Sequence, residues 1–379
     1  MTNNDCVYCD CNATTPIEEE VLEAMSRFFR VEYGNAASRT HRFGTAAAQA
    51  VRVAREQIAA LVNASWENVV FMSGATESNN ISILGLAESA WKAGRRHLIS
   101  TQIEHKAVLE PLEALQKRGF EVTLLPPDRG GRISAEAVRE ALRPETALVS
   151  IMHVNNETGV VQPLAEIAEV LADHPATLHT DAAQGFGKEL EALKHPRVDL
   201  ISATAHKIYG PKGVAALVVR RSPRTKGLSP LTFGGGHERG LRPGTLPVPL
   251  IVGFGLAAEI AVRDHALRRQ KCIAFRRRLL DALSELEPVM HGDAAHVLPH
   301  VANLRFGAID SEAVMLAIRD DVAISNGSAC TSDSYEPSHV LRAMGLSDEH
   351  ALAAIRWSWC HLTPTPDWDN IVSSIRRLL

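Results

Sequence analysis

A chain of 379 residues exceeds the size at which one hydrophobic core stops growing, so two domains sharing a cleft are expected. Hydrophobic residues make up 45% and charged residues 22%, an ordinary globular composition that excludes a disordered chain. A net charge of −4 and a pI near 6.5 provide no global positive field for nucleic acid or acidic membrane.

The segment Met1-Thr2-Asn3-Asn4-Asp5 lacks the basic patch and apolar core of a signal peptide. Six cysteines in this length do not make a disulfide scaffold, and a reducing cytoplasm is the expected compartment. Apolar runs then predict strands at Val69–Met72, His97–Ser100, Glu121–Leu125, Ala147–Met152, Thr177–Thr180, Asp199–Ser202 and Val214–Val219. Between them, apolar residues at three- and four-residue spacing predict helices at Thr45–Val62, Lys106–Arg118, Ala135–Leu142 and Leu164–Ala172. Strands alternating with helices imply an α/β fold with a mostly parallel sheet flanked by helices. Ligands of such sheets sit in loops after the carboxyl ends of strands. The most apolar stretch, Val248–Ala258, holds Pro249, Gly253 and Gly255 and is too short to span a bilayer. After about Gly255 the pattern changes. A charged helix, Ala261–Leu286, leads to short strands at Val301–Phe306 and Ile355–Trp359. A large domain over residues 15–255 and a smaller α+β domain built from 1–14 and 256–379 are expected.

Chemistry concentrates in the strand-end loops. Lys207, in Ala205-His206-Lys207-Ile208-Tyr209-Gly210-Pro211, follows one strand and precedes another, where partial desolvation favours a nucleophilic amine. A lone lysine in a Gly-Pro turn is more often a solvated surface group, so its company matters. Asp181 ends an earlier strand, and pyridoxal phosphate (PLP) needs both a Schiff-base lysine and a carboxylate at its ring nitrogen. Gln184 suits the cofactor's phenolate oxygen. Ser73–Asn80 opens a helix directly after a strand, offering main-chain N–H groups to a phosphate; an ordinary N-cap looks the same. His105, after another strand, can stack on a ring and handle protons.

These motifs, with His153-Val154-Asn155-Asn156-Glu157-Thr158-Gly159, Gly234-Gly235-Gly236-His237-Glu238-Arg239-Gly240 and Gly327-Ser328-Ala329-Cys330-Thr331-Ser332, together resemble the NifS/IscS-type cysteine desulfurases. That family comprises fold-type-I PLP-dependent transferases grouped with the class V aminotransferases, and the likeness runs in order almost from Tyr8 to the last residues. It implies that Lys207 holds PLP and moves the substrate Cα proton, Asp181 pairs with the ring nitrogen, and His105 stacks on the ring. It implies Gln184 at the phenolate oxygen and Ala75, Thr76, Thr204 and His206 at the phosphate. Thr245 would reach a neighbouring subunit's phosphate site, making a homodimer. Arg356 would clamp the carboxylate of L-cysteine, and Asn155 would help orient the bound amino acid at the cofactor. Strand alternation in Ile355-Arg356-Trp357-Ser358-Trp359 independently turns the guanidinium away from the tryptophans.

Cys330 would take the substrate sulfur as a persulfide, release alanine and pass the sulfur to an acceptor protein. Its surroundings, Ser325–Ser334, are small and polar, which predicts a mobile exposed loop. That loop carries no Lys, Arg or His, so thiol activation has to come from outside it, from His105 or the substrate thiol. Four positions depart from the family pattern: Ala36 for proline, Ala205 and Ala215 for glycine, and Pro243 for serine. Alanine lacks glycine's positive-φ freedom, so reshaped loops are expected at Ala205 and Ala215. Cys6, Cys9 and Cys11 lack a paired zinc-ribbon spacing and are expected to pack rather than bind metal. The chain ends soon after its final helix, without the tail usual in housekeeping members. The wording of Cys11–Pro16 and Ser100–His105 is closer to the DndA type, which supplies sulfur for DNA phosphorothioation. Iron–sulfur assembly and thio-cofactor or tRNA sulfuration are the alternative destinations. A selenocysteine lyase or other β-eliminating enzyme, and an inactive PLP-fold scaffold, are the competing identities. Neither direct nucleic-acid binding nor membrane association is expected.

Overall fold

The structure, a computed structural model, describes residues 6–326 and 336–379. In chain order, strand β1 (Val7–Tyr8) precedes helices α1 (Glu19–Arg30) and α2 (Arg42–Leu61). Strand β2 (Val69–Met72) is followed by α3 (Ala75–Leu84) and α4 (Ala87–Lys92). Then come β3 (His97–Thr101), α5 (Lys106–Gln116), β4 (Glu121–Leu125), α6 (Ala135–Ala141), β5 (Thr146–Ser150), α7 (Leu164–Val170), β6 (Thr177–Asp181), β7 (Leu200–Thr204) and β8 (Ala215–Val219). Helices α8 (Val248–Arg263) and α9 (His265–Leu283) lead to β9 (Val289–His291), β10 (Val301–Arg305), α10 (Ser311–Ala317), β11 (Val322–Ala323), α11 (His339–Ala343), α12 (Asp348–Leu352), β12 (Ile355–Ser358) and α13 (Trp368–Arg376).

Among the described residues, β2-β8-β7-β6-β5-β3-β4 form the largest sheet. Strands β4, β3, β5, β6 and β7 run parallel, and β8 runs against both its neighbours. The reversal has a simple cause. A parallel return needs a crossover of about a dozen residues or more, and the link 205–214 holds only a 3₁₀ turn. Alternate residues feed opposite faces: Phe71, Ile99, Val149 and Ile201 join one apolar cluster, Val70, Leu98, Leu148 and Leu200 another. Covering on both faces explains why these strands read as nearly unbroken apolar runs.

The expected helix Ala261–Leu286 is two helices. The run Val248–Ala258, too short to span a bilayer, is the body of α8. Pro249 falls in the first turn, where its missing N–H is tolerated. Gly253 and Gly255 let α8 press against its neighbours: a Cβ at Gly253 would lie 2.5 Å from Met25 Sδ. Its Ala257, Ala258 and Ile260 pack with the large sheet. A second core, with Phe275, Leu304, Trp357, Trp359 and Ile371, surrounds the antiparallel sheet β12-β10-β9. β1 pairs in parallel with β11, and Asp10 bridges to Ser358. No helix among the described residues is long and apolar enough to cross a membrane. Neither Ala205 nor Ala215 has a positive φ, so alanine fits there without the expected reshaping; the left-handed positions of that loop are Tyr209, at φ 69°, and Gly213.

Candidate active site

A cavity of about 280 Å³ lies at the carboxyl ends of β2, β3, β6 and β7, closed on one side by residues 12–13 and by Arg356 of β12. Each strand end places its functional group through main-chain geometry. After β2, Gly74 caps α3 in extended conformation without a side-chain cap, and a Cβ there would meet nothing within 4 Å. Ala75 and Thr76, lining the cavity, thus sit on a helix start whose first turn lacks intrahelical donors' partners, the geometry that receives anions. After β3, His105 is the N-cap of α5, its Nδ1 accepting from the Ala107 N–H at 3.1 Å. Nδ1 being the acceptor, Nε2 carries the ring proton of the neutral imidazole.

Asp181, last residue of β6, accepts from the Ala183 N–H (2.9 Å) and from Asn79 Nδ2 (2.7 Å). After β7, Thr204, His206 and Lys207 line the cavity together. Lys207 Nζ donates to the Asn12 carbonyl and, at 2.7 Å, to the Ala13 carbonyl. His206 meets Thr14 Oγ1 at 3.2 Å, and burial followed by the Lys207 charge pushes its pKa down to about 4. Gln184 donates to the Asn12 carbonyl at 2.9 Å. Arg356, 2% exposed, is no surface group: it holds Asp10 at 2.6 Å and the Asn156 carbonyl at 3.2 Å.

Two further carboxyls stand behind this wall. Glu104, wholly buried, accepts from Met152 N–H (2.8 Å) and Thr101 (3.0 Å) through Oε1 only. Burial pushes its pKa up to about 8, with Asp181 adding to the effect, so it carries a proton at neutral pH. Glu157 is likewise raised by burial, and Ser338 donates to it at 2.5 Å.

Lys207, Asp181, His105, Gln184, Ala75, Thr76, Thr204, His206 and Arg356 therefore meet at one cavity. Asn155 does not. Its Oδ1 accepts from the N–H groups of Glu157 and Thr158, and its Nδ2 donates to the Ile103 carbonyl, so the side chain shapes its own turn. The neighbouring Asn156 lines the cavity instead. Periodicity cannot separate two adjacent asparagines in a turn. Thr245 is exposed and away from the cavity of its own chain, and Cys330 lies outside the described residues. Asp10, Asn12 and Asn79 were not anticipated. Asn12 and Asn79 stand inside motifs already singled out, whereas nothing local marks Asp10 as the partner of a residue 346 positions away.

The donor set fits pyridoxal phosphate. An amine, a carboxylate with two fixed donors, an imidazole and an open helix start share one cavity. Three buried atoms on its wall, Gln184 Oε1, Asn79 Oδ1 and Arg356 Nε, have no hydrogen-bond partner among the described residues.

Comparison with known proteins agrees. The family model described as aminotransferase class-V matches residues 7–370. A cysteine desulfurase IscS of Anaeromyxobacter sp. (strain Fw109-5) is 48% identical over 369 residues, covering 97% of this chain and 90% of the relative. The crystal structure of DndA from Streptomyces lividans superposes with a TM-score of 0.82 at 48% identity, covering 94% of this chain and 98% of that one. A NifS-like protein reaches a TM-score of 0.89 at 34% identity, with 98% of each chain covered. The chain belongs to the class-V aminotransferase family, among its PLP-dependent cysteine desulfurases.

Proposed function

We propose that this enzyme moves the sulfur of L-cysteine to its own Cys330, releasing L-alanine, and hands the persulfide sulfur to an acceptor protein. In balance, the substrate C–S bond breaks, an S–S bond forms at Cys330, and the thiol proton's equivalent ends on alanine. The observation that carries this reading is the convergence of Lys207, Asp181, His105 and Arg356 on one cavity, with both described flanks of the Cys330 segment tied to residues at or behind its wall. On the near side Ser325 exchanges main-chain hydrogen bonds with Arg356; on the far side Ser338 caps α11 and donates to Glu157.

When bound, PLP would serve as the electron sink for the substrate Cα. Lys207 would hold it and carry the Cα proton at Nζ. Asp181, kept an acceptor by Asn79 and Ala183, would face the ring nitrogen, with Gln184 at the phenolate oxygen. His105 would present its ring face and Nε2–H. Ala75, Thr76, Thr204 and His206 would take the phosphate, and Arg356 the substrate carboxylate, with Asn156 rather than Asn155 beside it. The exposed loop carrying Phe233 and Thr245 supports a homodimer in which Thr245 completes the partner subunit's phosphate site. The two apolar cores support a large domain from residue 15 through 255 and on to the end of α8 and a small one from 1–14 and the remainder, with α11 and α12 packing through Val340, Leu341 and Ala351 against the larger core. The likeness to DndA favours sulfur supply for DNA phosphorothioation, in a cytoplasmic setting.

The test measures alanine and sulfide released from L-cysteine with reductant present, for the wild type and Cys330→Ala, alongside the absorption spectrum. Both products from a yellow wild type, lost in the variant, support the persulfide route. Full turnover without Cys330 would favour direct elimination, as in a lyase.

A further inference from the structure

Behind the wall that carries Lys207 lies a second group of reactive side chains that the desulfurase chemistry does not use. Segment 9–11 runs beside β12, with the Cys11 N–H donating to the Ser358 carbonyl at 2.9 Å. That register brings Cys11, 1% exposed, against Cys360, 4% exposed, and both against Tyr209. The two side chains pack against each other, and the Thr363 hydroxyl donates to Cys360 Sγ at 3.5 Å. Their mutual interaction pulls the Cys360 thiol down although burial opposes it, and holds the Cys11 thiol up. A basic group attends them: Lys188, whose Nζ meets His300 Nε2 at 3.2 Å, lines an adjoining cavity of about 40 Å³ with Tyr209 and Cys272. Its charge acts on the Cys11 thiol. A thiol pair in mutual contact beside an ammonium group is the setting in which cysteine is reactive rather than inert packing.

We propose that Cys11 and Cys360 are an oxidisable dithiol, a modification site at which hydrogen peroxide closes a disulfide behind the catalytic lysine. The Cys360 thiolate attacks a peroxide oxygen, the O–O bond breaks, and water leaves once the departing oxygen is protonated, giving a sulfenic acid. The Cys11 sulfur then attacks that sulfur, an S–S bond forms, and a second water departs. Two thiols are oxidised and one peroxide is reduced to two waters. The link to the active site is covalent. Cys11 precedes Asn12, whose carbonyl accepts from both Lys207 Nζ and Gln184 Nε2. Drawing the sulfurs from packing contact to about 2.05 Å pulls on the Cys11 main chain, and on Asn12 with it.

The experiment treats the holoenzyme with hydrogen peroxide, blocks free thiols under denaturing, non-reducing conditions, and maps peptides by mass. Activity is not the readout, because the Cys330 thiol proposed to carry the persulfide is itself oxidisable. The expected result is joint loss of blocking at Cys11 and Cys360 and one cross-linked peptide lighter by two hydrogens, reversed by dithiothreitol. Cys11→Ser and Cys360→Ser each abolish the cross-link. The cofactor's absorption band shifts with cross-linking in the wild type and not in either variant. Full blocking of both cysteines after Cys6 has been oxidised, or a cross-link joining Cys9 or Cys272 instead, overturns the site. A Cys11–Cys360 disulfide that leaves the absorption band unmoved overturns the coupling to Lys207.

Discussion

The large sheet and the small sheet deliver their functional groups to the cavity by different means. His105, Asp181 and Lys207 sit at strand ends and are held by nearby main-chain groups: the Ala107 N–H, the Ala183 N–H, and the Asn12 and Ala13 carbonyls. Arg356 lies within strand β12, and its register and a part-buried pair with Asp10 aim it. Strand-end groups project into the cleft, so replacing one should cost chemistry while the fold survives. Arg356 belongs to a strand whose next residue is a fully buried Trp357, so disturbing its pair should cost the fold as well.

The sharpest way to break that contrast is Lys207→Ala. Alanine formation from L-cysteine should fall by ~10²–10⁴-fold, as for loss of a positioned acid–base group, while the denaturant midpoint holds. An equal loss of stability would show that Lys207 is also structural. Asp10→Ala leaves the Arg356 guanidinium without its counter-charge and should lower unfolding free energy by about 3 kcal/mol, read by urea denaturation. An unchanged midpoint would put Arg356 in the same class as the strand-end groups.

Asp181→Asn keeps the shape but removes the charge. A charge-assisted hydrogen bond contributes about 1.5–3 kcal/mol, so turnover should drop ~10–100-fold, with thermal stability little altered. The most gradual effect, spread over several pH units, concerns Glu104, one residue from His105. Its folded-state pKa, pushed up to about 8, stands above the ordinary carboxyl value, so the folded protein holds this proton more tightly than the unfolded chain. Its contribution is complete below the ordinary value and is lost as pH rises toward 8, at no more than about 1.4 kcal/mol per pH unit. Glu104→Gln imitates the protonated form, so its stability should decline less than that of the wild type between pH 5 and 8. Parallel pH curves would mean that Glu104 titrates normally.

Much of the site was legible because its residues stand in short stretches that local rules interpret. A lysine, an aspartate and a histidine each follow an apolar strand run, and β/α alternation sends such loops to one edge of a sheet. The arginine was legible through alternation in β12, where Trp357 and Trp359 enter the core and Arg356 turns away. Helix α8 was not anticipated, since proline and glycine weigh against helices on average. Here Pro249 occupies the first turn and Gly253 clears Met25, which only packing reveals.

By itself, then, the sequence determined the α/β class, the strand-end placement of Lys207, Asp181 and His105, and the family, since these depend on residues close together in the chain. Tertiary structure alone decided that Asp10 pairs with Arg356, that Asn156 and not Asn155 faces the cavity, that Glu104 is buried enough to keep its proton, and that Cys11 meets Cys360. Each of those depends on which distant segments pack together and on the solvent they exclude, and no local periodicity encodes either.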